Sequence, residues 1–218
     1  MNSGQPISAR PARRAYRSTL RAEQAGETRR RLLAAAGACF AERGYAGTSL
    51  KAIAERAGVS VETVQLNGPK AALLLGAYEQ LFVGEEGRLS LLQREAVQPI
   101  LELTDPAALV AAMVDFLASA NAQSAALAAA FEAAALSDPT IDEVLKGLGE
   151  RARADARSAT RLVADRGGVT SGRPLDEVAD ELWFLMRPPH YLTLIRQAGW
   201  TFEQYHAWLT RSATALLL

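Results

Sequence analysis

The sequence predicts an all-α protein, and two observations on the whole chain support this fold class. Among 218 residues, Ala occurs 43 times and Leu 30 times, whereas Val and Ile together occur 16 times. Residues with high helix propensity therefore outnumber the β-branched residues that favour strands. Apolar residues also recur at helical spacing between Gly and Pro breaks, which divides the chain into nine to ten helices. We expect a small N-terminal domain of three helices followed by a larger helical bundle.

Charge is divided unevenly along the chain. Residues 1–80 contain 12 basic and 6 acidic side chains, whereas residues 81–218 contain 12 basic and 18 acidic ones, so net charges of +6 and −6 cancel. A basic N-terminal part favours contact with a polyanion. Residues 1–26 are rich in Arg and poor in apolar residues, which predicts a disordered basic arm. Such an arm can enter a minor groove of DNA or simply solubilise the chain.

The first helix is predicted between Glu27 and Arg43. Four apolar residues in this range lie at i, i+4, i+7 and i+8, on one helical face. They are Leu32, Ala36, Cys39 and Phe40. Gly44 follows as a stop, because glycine adopts the left-handed conformation that ends many helices.

Residues 48–70 predict a helix-turn-helix. Thr48 can cap a short helix, and Ser60 can cap the next one. Gly58 lies between them and supplies a turn residue that tolerates positive φ. A second turn then leads into a fourth helix, with Pro69 suited to its first position.

The rest of the chain predicts longer helices. Asp105-Pro106 and Asp138-Pro139 each combine a capping residue with a proline suited to the first helical turn, so each marks a helix start. A separate Ala-rich helix is expected over residues 122–136. After a glycine-rich break, a helix over 175–187 ends at two prolines, and Thr201 caps a final helix.

Several classes of protein are excluded by the sequence. A membrane-spanning helix needs about 18 consecutive apolar residues, and no run in the sequence approaches that length. The N-terminus also lacks the apolar region of a secretory signal. The single Cys39 excludes an intramolecular disulfide and a cysteine-cluster zinc site, so a reducing, cytoplasmic compartment is expected. We find no nucleophile–base pair, no phosphate-binding glycine loop and no metal motif, so neither an enzyme nor a bound cofactor or metal is expected.

A family resemblance rests on two segments. Thr48–Leu74 reads TSLKAIAERAGVSVETVQLNGPKAALL, and the helix before it carries Phe40 and then Gly44-Tyr45. These residues resemble the DNA-binding domain of the TetR family of bacterial transcriptional repressors. Asp180–Leu209 is similar to the ligand and dimer domain of one subgroup of that family.

The resemblance implies a homodimer whose recognition helices enter successive major grooves of a palindromic DNA operator, with an effector pocket in the larger domain. It assigns residues 27–72 to the DNA-binding domain and 73–218 to the ligand-binding and dimerisation domain. The sequence departs from the family pattern at Gln65 and Gly68, where the family has two aromatic residues, and Lys70 comes one residue early. In the family, the first aromatic residue normally contacts a phosphate of the DNA, and the second packs between the third and fourth helices.

Eight residues are the candidates for DNA contact. Gln and Asn can read adenine, Thr and Val can touch a thymine methyl group, and Glu can accept a hydrogen bond from cytosine. Thr48 and Lys70 are expected at phosphates, through a helix N-terminus and an ammonium group. The set is Thr48, Ser60, Val61, Glu62, Thr63, Gln65, Asn67 and Lys70.

Five residues are the candidate walls of an effector pocket, because small-molecule sites are lined mostly by apolar and aromatic side chains. They are Met113, Phe116, Phe131, Trp183 and Tyr191. A core position is the alternative for each of them. Asn121 or Gln123 can orient a polar group of the ligand, and the Ala-rich run over 125–135 leaves room between helices.

Together these observations favour a dimeric, TetR-type DNA-binding regulator, with repression relieved by a small apolar or amphipathic ligand. The dimer is expected to form through the helices around residues 182–187 and 202–217. The alternative is a helical small-molecule-binding or interaction protein on the same scaffold without specific DNA binding.

Overall fold

The computed structural model of the chain describes residues 11–87 and 89–218, with side chains from Gln24 onward. Every regular element in these residues is helical, which confirms the all-α fold class. The first four helices are α1 (Pro11–Gly47), α2 (Leu50–Ala57), α3 (Val61–Leu66) and α4 (Lys70–Val83). Two short 3-10 turns follow, at Leu91–Gln93 and Glu95–Val97. The remaining elements are α5 (Gln98–Leu101), α6 (Pro106–Ala135), α7 (Pro139–Asp165), α8 (Leu175–Leu185), α9 (Pro188–Leu192), a π-helical turn (Thr193–Gln197) and α10 (Phe202–Leu217).

The first helix is longer than predicted. It begins at Pro11 rather than Glu27, so the backbone of residues 11–26 is helical where a disordered arm was expected. Ala and Arg dominate this stretch, and their high helix propensity accounts for the extension. The remainder of the predicted arm, residues 1–10, lies outside the described residues. At the other end, Gly44 has φ 68° and interrupts the regular helix at the predicted stop.

The predicted helix starts at two aspartates are confirmed. The Asp105 carboxylate accepts a hydrogen bond from the amide of Ala108, and the Asp138 carboxylate accepts one from the amide of Thr140. The prediction of two helices between these caps was wrong, because α6 is continuous. After its first residue it contains neither Gly nor Pro, so nothing in the sequence interrupts it.

The apolar core has two parts. One cluster joins the N-terminal helices to the bundle, because buried Phe40 of α1 and Leu73 of α4 belong to the same group as Phe131 of α6. The second cluster lies where the N-terminal half of α6 meets α8 and α10, with Leu182 and Leu209 among its buried residues. None of the described helices combines the length and apolarity needed to cross a membrane.

Candidate functional site

Helices α2 and α3 form the predicted helix-turn-helix. Ser49 caps α2 by accepting a hydrogen bond from the amide of Ala52, and Ser60 caps α3 through the amide of Thr63. Between them Gly58 has φ 66°, in the left-handed region where glycine is unstrained, and its amide donates to carbonyls of α2. The two helices pack through fully buried side chains, which include Ile53 and Val64.

Thr48 has a different place from the predicted one. Ser49, not Thr48, is the N-cap of α2. Thr48 is 2% exposed, and its hydroxyl donates to the carbonyls of Cys39 (3.0 Å) and Gly44 (2.8 Å). Its side chain therefore fixes the corner between α1 and α2 and is not available to a phosphate.

The outer face of α3 carries most of the predicted base-reading residues. Ser60, Glu62 and Gln65 are exposed, whereas Val61 and Thr63 are half-buried. Hydrogen bonds from its own backbone amide and from the Ser60 hydroxyl lower the pKa of Glu62, so this side chain is anionic at neutral pH. The helix that would face DNA therefore carries one anion, and its sequence contains no Lys or Arg to balance that charge.

The end of α3 is held by two hydrogen bonds. The side-chain amide of Asn67 donates to the carbonyl of Thr63 (2.7 Å), and Arg29 Nη1 donates to the carbonyl of Asn67 (2.5 Å). Asn67 thus closes the helix, and its amide group is not free to read adenine as predicted. The residue before it, Leu66, is 88% exposed and was not among the predicted contacts. An apolar residue between two polar ones at the end of a recognition helix was the signal that could have found it.

Lys70 begins α4 next to this helix end. Its ammonium group lies 4.2 Å from the centroid of the Tyr45 ring, a cation–π distance. Burial lowers the pKa of Lys70, and the carboxylate of Asp138 opposes that shift. The Tyr45 ring in turn stacks on Phe40 of α1, with ring centroids 5.8 Å apart. Lys70 is therefore held at the corner between α1 and α4.

A cavity of about 260 Å³ lies in the larger domain, between α4, α6 from Leu117 onward, α7 and the junction of α8 with α9. Its walls are mainly apolar, which suits an organic molecule. The apolar and aromatic lining residues are Tyr78, Phe82, Val83, Leu89, Leu91, Leu117, Ala128, Phe131, Leu145, Leu148, Ala152, Trp183, Met186, Pro188 and Pro189.

Ion pairs interrupt the apolar wall at two places. Arg151 lies 3.3 Å from the carboxylate of Glu79, and Arg187 lies 3.0 Å from that of Glu132. Arg187 also sits over the ring of Trp183, at 5.6 Å. Burial raises the pKa of Glu79 above its usual value, although Arg151 and a backbone hydrogen bond oppose the shift.

The segment after α4 connects this wall to the DNA-binding domain. The Glu79 carboxylate accepts a hydrogen bond from the amide of Gly87 (2.9 Å), and Arg94, only 3% exposed, donates to the carbonyl of Gly87 (2.5 Å). The neighbouring Glu86 pairs with Arg29, the same residue that binds the end of α3. The two contacts of Arg29 span 57 and 38 positions, so no local pattern predicted them.

The cavity contains two of the five predicted wall residues, Phe131 and Trp183. Met113 is instead buried in the second core cluster, where α6 faces α8 and α10, and Tyr191 packs edge-on against Tyr205 at 5.0 Å. Phe116 is half-buried outside the cavity wall. The prediction placed the pocket along most of α6, whereas the residues of α6 that line the cavity are Leu117, Ala128, Phe131 and Glu132.

The two predicted polar ligand contacts are also placed elsewhere. Asn121 is fully buried, and its amide donates to the carbonyl of Met186 (3.0 Å) and to the hydroxyl of Tyr205 (2.9 Å). Gln123 is exposed to solvent. In the described residues no three His, Cys, Asp or Glu side chains are grouped as a metal site would require.

Comparison with known proteins gives a family match at the helix-turn-helix. Residues 32–65 match the model of the family described as bacterial regulatory proteins, tetR family. No curated protein matches the chain in sequence.

Solved structures show the same fold over most of the chain. A TetR transcription regulator from Haloarcula marismortui superposes with a TM-score of 0.63 at 18% identity, covering 88% of this chain and all of the other. SmeT, the repressor of the Stenotrophomonas maltophilia multidrug efflux pump SmeDEF, gives 0.56 at 18% identity over 87% of this chain and 89% of its own. FadR from Bacillus subtilis, in complex with stearoyl-CoA, gives 0.58 at 16% identity over 86% and 98%. Residues 32–65 are therefore similar to the DNA-binding part of the tetR family of bacterial regulatory proteins, and the chain shares its fold with solved regulators of that family.

Proposed function

We propose that the protein is a homodimeric repressor that binds a palindromic DNA operator through α3 and releases it when a small amphipathic molecule occupies the cavity. The arrangement of α4 carries this proposal. Its first residue, Lys70, lies beside the end of α3, and Tyr78 and Phe82, two and three turns further on, belong to the cavity wall. One rigid helix therefore has one end at the DNA side and the other at the ligand side.

The DNA contacts follow from what is exposed on α3. Ser60, Glu62 and Gln65 are exposed and remain proposed base and phosphate contacts, together with the half-buried Thr63. Val61 is the weakest of the predicted contacts, because it packs against the same core cluster as Val64. Lys70 is the proposed phosphate contact. The two α3 helices of a dimer would then lie about one helical turn of DNA apart, roughly 34–36 Å, or a little more.

The cavity indicates the class of effector. Its wall offers apolar side chains to the body of a ligand and two ion pairs to a polar end. The Arg187–Glu132 pair is the more accessible of the two, so a polar group would compete there for Arg187. The complex of FadR with stearoyl-CoA supports an amphipathic effector, and the role of SmeT supports repression.

The proposed regulation has a defined energetic requirement. A ligand lowers operator affinity only if it binds the arrangement that does not fit DNA better than the one that does. A tenfold loss of affinity requires a preference of about 1.4 kcal/mol. A regulator of this kind acts beside the chromosome, so we place it in the cytoplasm, and its function includes no catalytic step.

DNA binding is tested by selecting bound fragments from random duplexes with the purified protein. We expect enrichment of a palindrome with the half-site spacing given above. Lys70→Ala should weaken binding to all sequences alike and reduce the salt slope by about one. Lys146→Ala, on exposed α7 far along the chain, is the matched control and should change neither quantity. Gln65→Ala should instead alter base preference.

Ligand control is tested with a compound found by thermal-shift screening. The compound should stabilise the protein and weaken operator binding. Gly149 lines the cavity, and an added Cβ there would meet no atom within 4 Å, so Gly149→Leu should fill the cavity and reduce both effects. Phe116→Ala, outside the wall, should retain them. A stabilising compound without any enriched palindrome would favour the alternative function, a helical small-molecule-binding protein that does not bind DNA specifically.

A further inference from the structure

Leu66 is the most exposed large apolar side chain on the helix-turn-helix. It is 88% exposed, whereas Val64, two residues earlier on the same helix, is fully buried. At 100° per residue, Leu66 and Glu62 lie on either side of the point opposite Val64, one turn apart. These two side chains therefore form the outermost ridge of α3.

The position of Leu66 is fixed by its neighbours. Asn67 folds its amide back onto the carbonyl of Thr63, and Arg29 holds the carbonyl of Asn67, so the last turn of α3 is tied down. None of these contacts covers the leucine side chain. It is thus held outward, in water, at the end of the helix that the proposed function assigns to the major groove.

The surroundings of Leu66 favour DNA over a protein partner. Its exposed neighbours on α3 are Glu62 and Gln65, which are polar, so the leucine is isolated. Protein interfaces need a contiguous apolar area rather than one side chain. In the major groove, by contrast, the thymine 5-methyl group is the apolar feature of the base edges, and it matches a single aliphatic side chain.

We propose that Leu66 is a specificity-determining residue that contacts the 5-methyl group of one thymine in each operator half-site. This inference rests on the proposed DNA-binding function and adds to it the base that this part of α3 selects. The contact requires no charge, which agrees with a recognition helix whose exposed residues include an anion and no cation.

The test replaces each thymine of the selected operator by uracil, which has the same base pairing but lacks the methyl group. For the wild type we expect one position in each half-site where uracil weakens binding about fourfold, the worth of one buried methyl group. Replacement in both half-sites should weaken binding about fifteenfold if the two effects add. Leu66→Ala should bind the thymine and uracil operators equally, whereas Gln65→Ala should keep the sensitivity to uracil.

The possible failures are distinguishable. If no sequence is enriched, the proposed DNA-binding function fails and this inference fails with it. If a palindrome is enriched but uracil has no effect at any position, or if Leu66→Ala keeps the effect, only the role of Leu66 is overturned. A change of oligomeric state in Leu66→Ala, measured by sedimentation, would overturn it in favour of a protein interface. Because Leu66 is exposed, unchanged circular dichroism and melting temperature should accompany each of these measurements.

Discussion

Arg29 and Glu86 form a two-pronged ion pair, with 2.8 Å between Nε and Oε1 and 2.8 Å between Nη2 and Oε2. The third donor of the same guanidinium, Nη1, binds the carbonyl of Asn67. One side chain of α1 therefore connects the end of the recognition helix to the segment that follows α4. Because Gly87 in that segment is bound by residues of the cavity wall, this connection is a second route, besides α4, between cavity and DNA.

We expect Arg29→Met to reduce operator affinity about 5–30-fold, because the hydrogen bond to the end of α3 and the ion pair that anchors Arg29 to Glu86 are both lost. Glu86→Gln should have a smaller effect in the same direction, and the double variant should be no worse than Arg29→Met alone. Affinities measured by fluorescence anisotropy at fixed salt check this. The matched control is Arg30→Met, since Arg30 pairs only with exposed Glu27 one turn away. Equal losses in Arg29→Met and Arg30→Met would mean that net charge, not the connection, is responsible.

Glu79 should make stability depend on pH. Burial raises its pKa in the folded protein above the unfolded value, so the folded state disfavours the carboxylate. The resulting contribution to stability is present below the unfolded pKa of about 4.3 and is lost as the pH rises through the folded pKa. The free energy of unfolding of Glu79→Gln, measured relative to wild type, should therefore increase as the pH is raised from 4.5 to 7.5.

Urea unfolding at the two pH values checks this prediction. Glu143→Gln is the control, because Glu143 is exposed on α7. The change in stability difference between the two pH values should be larger for Glu79→Gln than for this control. If the unfolding free energies of Glu79→Gln and wild type differ by the same amount at both pH values, burial of this carboxyl group has no net effect on its titration.

Substitutions of Leu209 and Phe184 by aspartate should have different effects, the first on folding and the second on dimer formation. Leu209 is 1% exposed inside the second core cluster, so Leu209→Asp should bury an unpaired charge and unfold the protein rather than dissociate a folded dimer. Phe184, near the end of α8, is 56% exposed. If α8 contributes to the proposed dimer interface, Phe184→Asp should yield a folded monomer in sedimentation velocity, with unchanged far-UV circular dichroism. A dimeric Phe184→Asp variant would place the interface elsewhere.

Two glycines should respond oppositely to substitution by alanine. A Cβ at Gly168 would lie 2.5 Å from Val163 Cγ1 and 2.8 Å from the carbonyl oxygen of Leu217, so Gly168→Ala should lower stability by about 1–3 kcal/mol. At Gly147, inside α7, the nearest atom is a flexible arginine nitrogen at 4.0 Å. Gly147→Ala should therefore raise stability by about 0.5–1 kcal/mol through its higher helix propensity. Chemical denaturation checks both, and a stabilised Gly168→Ala would contradict the close packing.

Local signals in the sequence predicted most of the boundaries that a cap or a break sets, although α2 is capped by Ser49 rather than Thr48 and Pro69 is the N-cap of α4 rather than its first residue. The predicted start of α7 at Asp138-Pro139 and the capping of α10 by Thr201 agree with the structure, because side-chain caps act within three residues. The turn at Gly58 was predicted for the same reason. The continuity of α6 was not predicted. The absence of helix-breaking residues over thirty positions is a weaker signal than the presence of a proline or a glycine.

The cavity was harder to predict than the helix-turn-helix. Phe131 and Trp183 were identified by residue type, but the same criterion selected Met113, which belongs to the core. Which aromatic or methionine faces a cavity depends on how α6 packs against several other helices, and helical periodicity does not contain that information. The pairing of Glu79 with Arg151 spans 72 positions and is likewise set by tertiary packing.

The apolar cluster shared by α1, α4 and α6 also limits how this regulator could be re-engineered. Gly37 of α1 would place a Cβ 3.5 Å from Ala77 and 3.6 Å from Leu127, so the three helices meet without a gap or a linker. A chimera that transplants residues 27–83 onto a foreign sensor would cut through this contact and leave Leu127 and Phe131 without their partners. Residues 27–83 are therefore not a detachable module. To exchange DNA specificity, it is better to graft only the exposed residues of α3.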